Sequence, residues 1–181
     1  MVVWSQTNQI HLKTIRDHVL AETSIIVSNP QYRAIHPDIG IDEKGNAILI
    51  FERIDPMHKF ISGSVYSSTT KSWSKPLDIS APRPSNVAIA GYPVLSVNSI
   101  GDAVVIWKES TGENIVIQGL GYSLGTWSNT TTLSSLDSDS GAKTPAYDID
   151  VVLNDAGNIL AIWPEDSVKK GTFQILSLIH I

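Results

Sequence analysis

The stretch DEKGNAILIF, residues 42–51, decides the fold, because the chain contains two further copies of it. The second copy, NSIGDAVVIW, covers residues 98–107, and the third, NDAGNILAIW, covers residues 154–163. Their glycines are Gly45, Gly101 and Gly157, so the unit repeats every 56 residues. A polar turn and an apolar strand that recur at this spacing are typical of a repeat architecture rather than of one mixed core.

The polar half of each copy predicts a tight hairpin turn. Gly45 can adopt the positive φ that a type I turn followed by a bulge requires. Asp42 and its counterparts Asn98 and Asn154 can accept a hydrogen bond from the backbone two residues further on. The apolar half, as in residues 47–51, has no polar alternation, which indicates a strand covered on both faces.

The flanking segments complete four-stranded antiparallel units. Alternation in Pro37–Ile41 predicts a strand before the turn, and Ile61–Tyr66 predicts one after the apolar strand. The other predicted strands are Val2–Trp4, Ile10–Ile15, Thr23–Ser28, Ser72–Ser80, Pro93–Val97, Ile117–Tyr122, Ile149–Leu153, Ile159–Trp163 and Thr172–Leu176. Residues 12–20 also fit a helical wheel, an alternative that the repeat disfavours. The predicted units are 1–30 (partial), 36–80, 92–134 and 147–181 (partial).

These units predict an all-β fold, a β-propeller-like array of about three and a half four-stranded antiparallel blades. A stacked or sandwich-like β array is the alternative, although it does not require a doubly buried strand in every copy. Closed propellers have about 4 to 8 blades, so this array leaves its end sheets uncovered. We therefore expect a piece of a larger propeller, or self-association through the open blade ends. Met1 falls within a predicted strand, so an upstream signal peptide or a broken reading frame stays open.

The composition argues against several classes of function. Of the 181 residues, 42% are hydrophobic and 17% are charged, which suits a globular core. The net charge is −5 and the longest basic run is Lys169-Lys170, so a nucleic-acid-binding surface is not expected. There is no cysteine, which excludes disulfides and thiolate metal sites. No segment approaches the roughly 20 apolar residues of a membrane-spanning helix.

The repeated pattern resembles a known family. Pro-x-[Ile/Leu]-x-[Ile/Val], the turn and apolar strand, Ile-x-Gly-x-x-Tyr-Ser and a Trp-Ser pair are similar to the bacterial sialidase-like, BNR or Asp-box type propeller repeats. That family carries its Ser-x-Asp-x-Gly-x-x-Trp box between the third and fourth strands, where this chain has residues 67–73 and 123–127. Both segments keep the serine and the tryptophan but lack the aspartate. The resemblance implies a propeller fold and a secreted or cell-surface protein more than it implies activity.

The candidate binding residues lie where the strands end. Arg53 follows Glu52, and the matching places hold Lys108-Glu109 and Glu165-Asp166. Glu52, Glu109 and Glu165 thus form a series, one per blade, that could line one face of the ring and attract a cation or sugar hydroxyls. Solvated charges at strand ends are the simpler interpretation.

The remaining candidate residues are two tryptophans, the histidines and one acidic loop. Trp73 and Trp127 could stack on a sugar ring, although side chains beside hairpins more often brace them. The five histidines show no zinc-ligand spacing, so no metal site or cofactor is expected. Asp137–Gly141 has the oxygen density of a calcium loop but lacks the later bidentate glutamate of an EF-hand. An inter-blade loop is the better interpretation of that segment.

Two functions follow from the sequence. The first is a non-catalytic propeller module that binds or scaffolds a protein or carbohydrate partner. The alternative is a fragment of a sialidase-type glycoside hydrolase, which would need a cluster of arginines for a carboxylate, a nucleophilic tyrosine and acidic partners. The sequence has four arginines and no catalytic residue that can be assigned.

Overall fold

The computed structural model describes residues 1–16, 18–84, 90–110, 115–134, 149–166 and 173–180. Every regular element in these ranges is a β-strand, and the strands form a propeller-like array of antiparallel sheets that is not closed into a ring. The described ranges contain no helix, so none that could cross a membrane is present there. The region predicted alternatively as a helix contains a short hairpin instead, in which Ile15–Arg16 pairs with Val19–Leu20.

Four sheets follow one another along the chain, and we number them I to IV. Each list gives the strands in chain order. Sheet I contains Val2–Gln6, Gln9–Lys13 and Ile25–Ile26. Sheet II contains Arg33–Ile41, Ala47–Ile54, His58–Ser67, Ser72–Trp73, Leu77–Asp78 and Arg83–Pro84. Sheet III contains Ala90–Val97, Ala103–Ser110, Ile115–Ser123, Thr126–Trp127 and Thr131–Thr132, and sheet IV contains Asp150–Leu153, Ile159–Asp166 and Phe173–His180.

The three predicted turns have the same geometry. In each turn the glycine has a φ between +80° and +95°, and its N–H donates to the carbonyl oxygen of the first turn residue. The side chain of that first residue accepts from the backbone four residues on, at 2.8 Å for Asp42 and at 2.9 Å for both Asn98 and Asn154. The turns also contact one another, since Ser99 N–H donates to Asp155 Oδ1 at 2.9 Å. The prediction of equivalent turns is confirmed.

The core consists of apolar layers between successive sheets. Leu49 and Phe51 lie between sheets I and II, while Ile48 and Ile50 on the same strand face sheet III. A third layer, around Ile106, lies between sheets III and IV. The central strand of sheet II is therefore covered on both faces, as its lack of polar alternation predicts.

The fourth strand of sheet II differs from its prediction. Ser72–Ser80 was expected as one strand, but two short segments, Ser72–Trp73 and Leu77–Asp78, pair with the third strand. Pro76 lies between them and cannot donate to a sheet ladder, which accounts for the interruption. In sheets I to III a serine then accepts a backbone N–H from the last long strand of the sheet. These pairs are Ser28 with Ile10, Ser80 with Ile61, and Ser134 with Ile117.

Candidate functional site

Equivalent β-bulges in sheets II and III define the candidate site. The register of the first strand shifts between Ile35 and Asp38 in sheet II, and between Gly91 and Val94 in sheet III. Within these bulges His36 and Tyr92, 56 residues apart, have φ values of +50° and +52°. Left-handed backbone is uncommon for bulky residues, and both residues also precede a proline, which restricts them further.

The two bulges bring an imidazole and a phenol together. The rings of His36 and Tyr92 are stacked, with their centroids 4.2 Å apart and their planes at 25°. Tyr92 is nevertheless 55% exposed, so much of its surface faces solvent. Lys108 Nζ lies 5.7 Å from the centroid of the Tyr92 ring. The site is therefore an exposed aromatic ring with the buried Lys108 near it, at the end of the sheets opposite the three glycine turns.

Glu52 holds His36 of this surface in place and is itself buried. Its Oε2 lies 2.9 Å from His36 Nδ1, and the residue is only 3% exposed. The backbone of Gly91 approaches the carboxylate so closely that a β-carbon at Gly91 would overlap Glu52 Oε1. Burial raises the pKa of Glu52 above its usual 4.5, while the hydrogen bond and charge of His36 act in the opposite direction. Glu52 thus orients His36 and is not itself open to a ligand.

Glu109 approaches the same region from sheet III. Glu52, Lys59 and Glu109 line a void of about 10 Å³ between sheets II and III, a volume that holds roughly one water molecule. Glu109 is 2% exposed, and its Oε2 accepts from Trp107 Nε1 at 3.3 Å. The structure thus brings two of the three predicted glutamates together, but it buries them where the sequence favoured solvated charges.

The predicted series of one glutamate per blade does not match the register. Arg53 pairs with Phe60 and Glu109 with Val116, so these two residues are equivalent, and Glu52 is equivalent to Lys108. Side chains of adjacent strand residues point to opposite faces, so Glu52 and Arg53 face different neighbouring sheets. Glu165 lies opposite Gln174 at the same position as Glu109, and its side chain is outside the described part of the chain.

Arg53 lies between sheets I and II, on the other side of its strand from Glu52. Its Nε and Nη2 donate to the two carboxylate oxygens of Asp78 at 2.9 and 2.7 Å. The guanidinium carbon also lies over the rings of Tyr32 and Phe60, 4.5 and 4.1 Å from their centroids. It lines a pocket of about 210 Å³. Because the guanidinium of Arg53 already forms a bidentate pair with Asp78, it is poorly placed to bind a ligand carboxylate.

The two candidate tryptophans pack against the sheets. Trp73 contacts Tyr66, with ring centroids 5.4 Å apart, and packs in the layer between sheets I and II. Trp127 contacts Tyr122 at 4.7 Å and packs in the layer between sheets II and III. Their surroundings are those of side chains that brace hairpins, and neither belongs to the His36–Tyr92 surface.

Only some of the candidate metal ligands lie in the described part of the chain. The described residues contain no cluster of three or more histidine, aspartate or glutamate side chains that could hold a metal ion. The acidic segment Asp137–Gly141 lies outside the described residues.

Sequence reasoning missed His36 and Tyr92. A signal was present, since Ile35-His36-Pro37 and Gly91-Tyr92-Pro93 place a large ring before a proline at the spacing of the repeat. The serines that end each unit were also missed, although an aliphatic residue precedes each one, at 27–28, 79–80 and 133–134.

No protein-family model matches the chain. A comparison with curated proteins likewise found no match. Among solved structures the chain is similar to the endo-arabinase from Bacteroides thetaiotaomicron, with a TM-score of 0.49 and 14% identity over 97% of this chain and 72% of that one. A similarity at this level assigns no activity to this chain.

Proposed function

We propose that the chain is a non-catalytic repeat module of the β-propeller type that binds a protein or carbohydrate partner through the His36–Tyr92 surface. Its units in this proposal are residues 1–30, 36–80, 92–134 and 147–181. The observation that carries it is the pair of equivalent bulges. Two bulky residues adopt a costly backbone conformation, and the result is an aromatic ring that is exposed on the surface. Backbone strain of this kind clusters at functional sites.

The chemistry of the surface suits a ligand with a flat apolar face and polar edges. An aromatic ring offers a large contact area, and nearby polar groups orient what lies on it. A sugar ring or an aromatic peptide side chain has this form. Glu109, Trp73, Trp127 and Arg53 are packed or paired, so in this proposal they support the sheets around the site.

One observation supports the alternative function, a fragment of a sialidase-type hydrolase. Burial raises the pKa of Glu52, as it does for carboxyls that act as general acids. Glu52 is, however, covered by Gly91 and His36. Of the arginines whose side chains are described, Arg33 is exposed and its charge acts on Glu52, whereas Arg53 is held by Asp78 on the other side of the strand. The non-catalytic function therefore has the stronger support.

A titration followed by NMR tests the proposal. The probes are maltotriose, xylotriose, chitotriose, 3′-sialyllactose and a short tryptophan-containing peptide. We expect at least one probe to shift the resonances of Tyr92 and His36, and Tyr92→Ala to abolish those shifts. Met57→Ala, which changes another exposed side chain, should leave them intact. Binding that persists in Tyr92→Ala would contradict the site, and turnover of a fluorogenic sialoside would contradict the non-catalytic assignment.

A further inference from the structure

Among the described side chains, the outward side of sheet IV is an exposed copy of an internal core surface. Leu160 and Ile162 lie 56 residues after Val104 and Ile106, and their partners on the first strand are also 56 residues apart. Ile106 is fully buried by sheet IV, whereas Leu160 and Ile162 are each 40% exposed. Val152 on the neighbouring strand is 54% exposed. We call Val152, Leu160 and Ile162 the trailing face.

The outward side of sheet I is an uncovered copy of the opposite surface. Trp4 pairs with His11 as Trp107 pairs with Gln118, and this register makes Val2 and Trp4 equivalent to Val105 and Trp107. Val105 and Trp107 are buried against sheet II, but Val2 is 42% exposed. We call Val2, Trp4 and Ile26 the leading face.

The leading face is already arranged like its internal counterpart. Trp4 Nε1 donates to Gln6 Oε1 at 3.1 Å, just as Trp107 Nε1 donates to Glu109 Oε2 at 3.3 Å. Both acceptors lie two residues after the tryptophan on the same strand. The indole is therefore held by the same local contact in the uncovered sheet as in the covered one.

We propose that a second copy of this chain covers the trailing face with its own leading face. The contact reproduces the internal layer between sheets II and III, where Ile48 and Ile50 pack against Val105 and Trp107. In the intermolecular layer Leu160 and Ile162 take the places of the isoleucines, and Val2 and Trp4 of the partner copy take the places of the valine and tryptophan. The two layers therefore have the same composition. In each, Val and Trp on one side face branched aliphatic residues on the other.

This contact is heterologous, because two different faces of the chain meet. A heterologous contact leaves one leading and one trailing face free in each pair unless the assembly closes into a ring. Two variants blocked on different faces can therefore still form one contact with each other. An isologous contact, in which like faces meet, does not have this property.

Light scattering after size-exclusion chromatography tests the proposal. We expect the unmodified chain to have at least twice the mass of 19.7 kDa. Ile162→Asp blocks the trailing face and Val2→Asp blocks the leading face, and each variant alone should be a monomer. Mixed in equal amounts they should form a dimer, through the intact leading face of the first and the intact trailing face of the second.

Two further variants guard against misfolding and non-specific effects. Leu160→Asp blocks the trailing face at a second position and should behave like Ile162→Asp. Leu124→Asp introduces the same charge on a hairpin of sheet III, where the side chain is 99% exposed, and should leave the mass unchanged. Circular dichroism confirms the β-structure of each variant. A monomeric unmodified chain would overturn the proposal, and so would a mixture of the two blocked variants that stays monomeric.

Discussion

Trp127 of sheet III lies directly against the α-carbon of Gly63 in sheet II. A β-carbon at position 63 would be 2.9 Å from Cζ2 of the indole, which is closer than real β-carbons approach. The tryptophan can enter the layer between the two sheets because the facing strand has no side chain at this point. We expect Gly63→Ala to lower the free energy of unfolding by about 1–3 kcal/mol, since overpacking a filled core has this cost. Urea denaturation measures the change.

Gly121→Ala is the matched control for this prediction. A β-carbon at Gly121 would be 3.7 Å from its nearest neighbour, Ala103 O, which is an ordinary contact. Combining Gly63→Ala with Trp127→Phe should recover part of the loss, because the smaller ring leaves room for the methyl group. Equal effects of Gly63→Ala and Gly121→Ala would show that Trp127 does not pack as described.

Asn98 links two of the glycine turns. Its Oδ1 accepts from the N–H groups of Ile100 and Asp102 at 3.2 and 2.9 Å, and its Nδ2 donates to Asn154 O at 3.3 Å. We expect Asn98→Ala to cost about 1–3 kcal/mol of stability, because it leaves partly buried backbone donors without an acceptor. Asn98→Asp keeps the acceptor oxygen and should cost less. The two substitutions are compared by thermal and urea denaturation, and the reverse order would argue against this turn geometry.

Glu52 should give the chain a specific dependence of stability on pH. Burial raises the folded-state pKa of this carboxyl, so the folded chain keeps a proton that the unfolded chain has already released. The stability contributed by Glu52 is complete below pH 4.5, the usual pKa, and falls as the pH rises through the raised value. Glu52→Gln cannot titrate, so the unmodified chain should lose stability relative to this variant over that range.

The measurement is the free energy of unfolding of the unmodified chain and of Glu52→Gln at several pH values from 4 to 8. A difference between the unmodified chain and Glu52→Gln that grows in favour of the unmodified chain as the pH rises would contradict the direction of the shift. It would show that His36, rather than burial, controls the carboxyl.

The turns and the doubly covered strands could be predicted because their causes are local. Gly45 and its counterparts need positive φ, and an Asx side chain caps each turn, so residue types and spacing were sufficient. The environment of Glu52 depends instead on how closely the neighbouring sheet approaches. Nothing within its own strand shows that Gly91, 39 positions later in the sequence, lies against its carboxylate.

The candidate site could not be predicted from the sequence for a related reason. The bulges at His36 and Tyr92 follow from the register between strands, and the stacking of the two rings follows from the distance between sheets. A residue before a proline indicates a conformational restriction but does not identify its partner. Arg53 illustrates the same point, since Asp78, which binds its guanidinium, comes from the interrupted fourth strand.

Ile106 and Ile162 test the central claim, that each sheet shields the next, most directly. They lie 56 residues apart, opposite first-strand residues with the same separation, but sheet IV covers Ile106 while Ile162 is 40% exposed. The measurement is the free energy of unfolding of Ile106→Ala and Ile162→Ala at concentrations where light scattering shows monomers. The account predicts a loss of about 2–5 kcal/mol for Ile106→Ala and less than about 1 kcal/mol for Ile162→Ala. Equal losses at the two positions would contradict it.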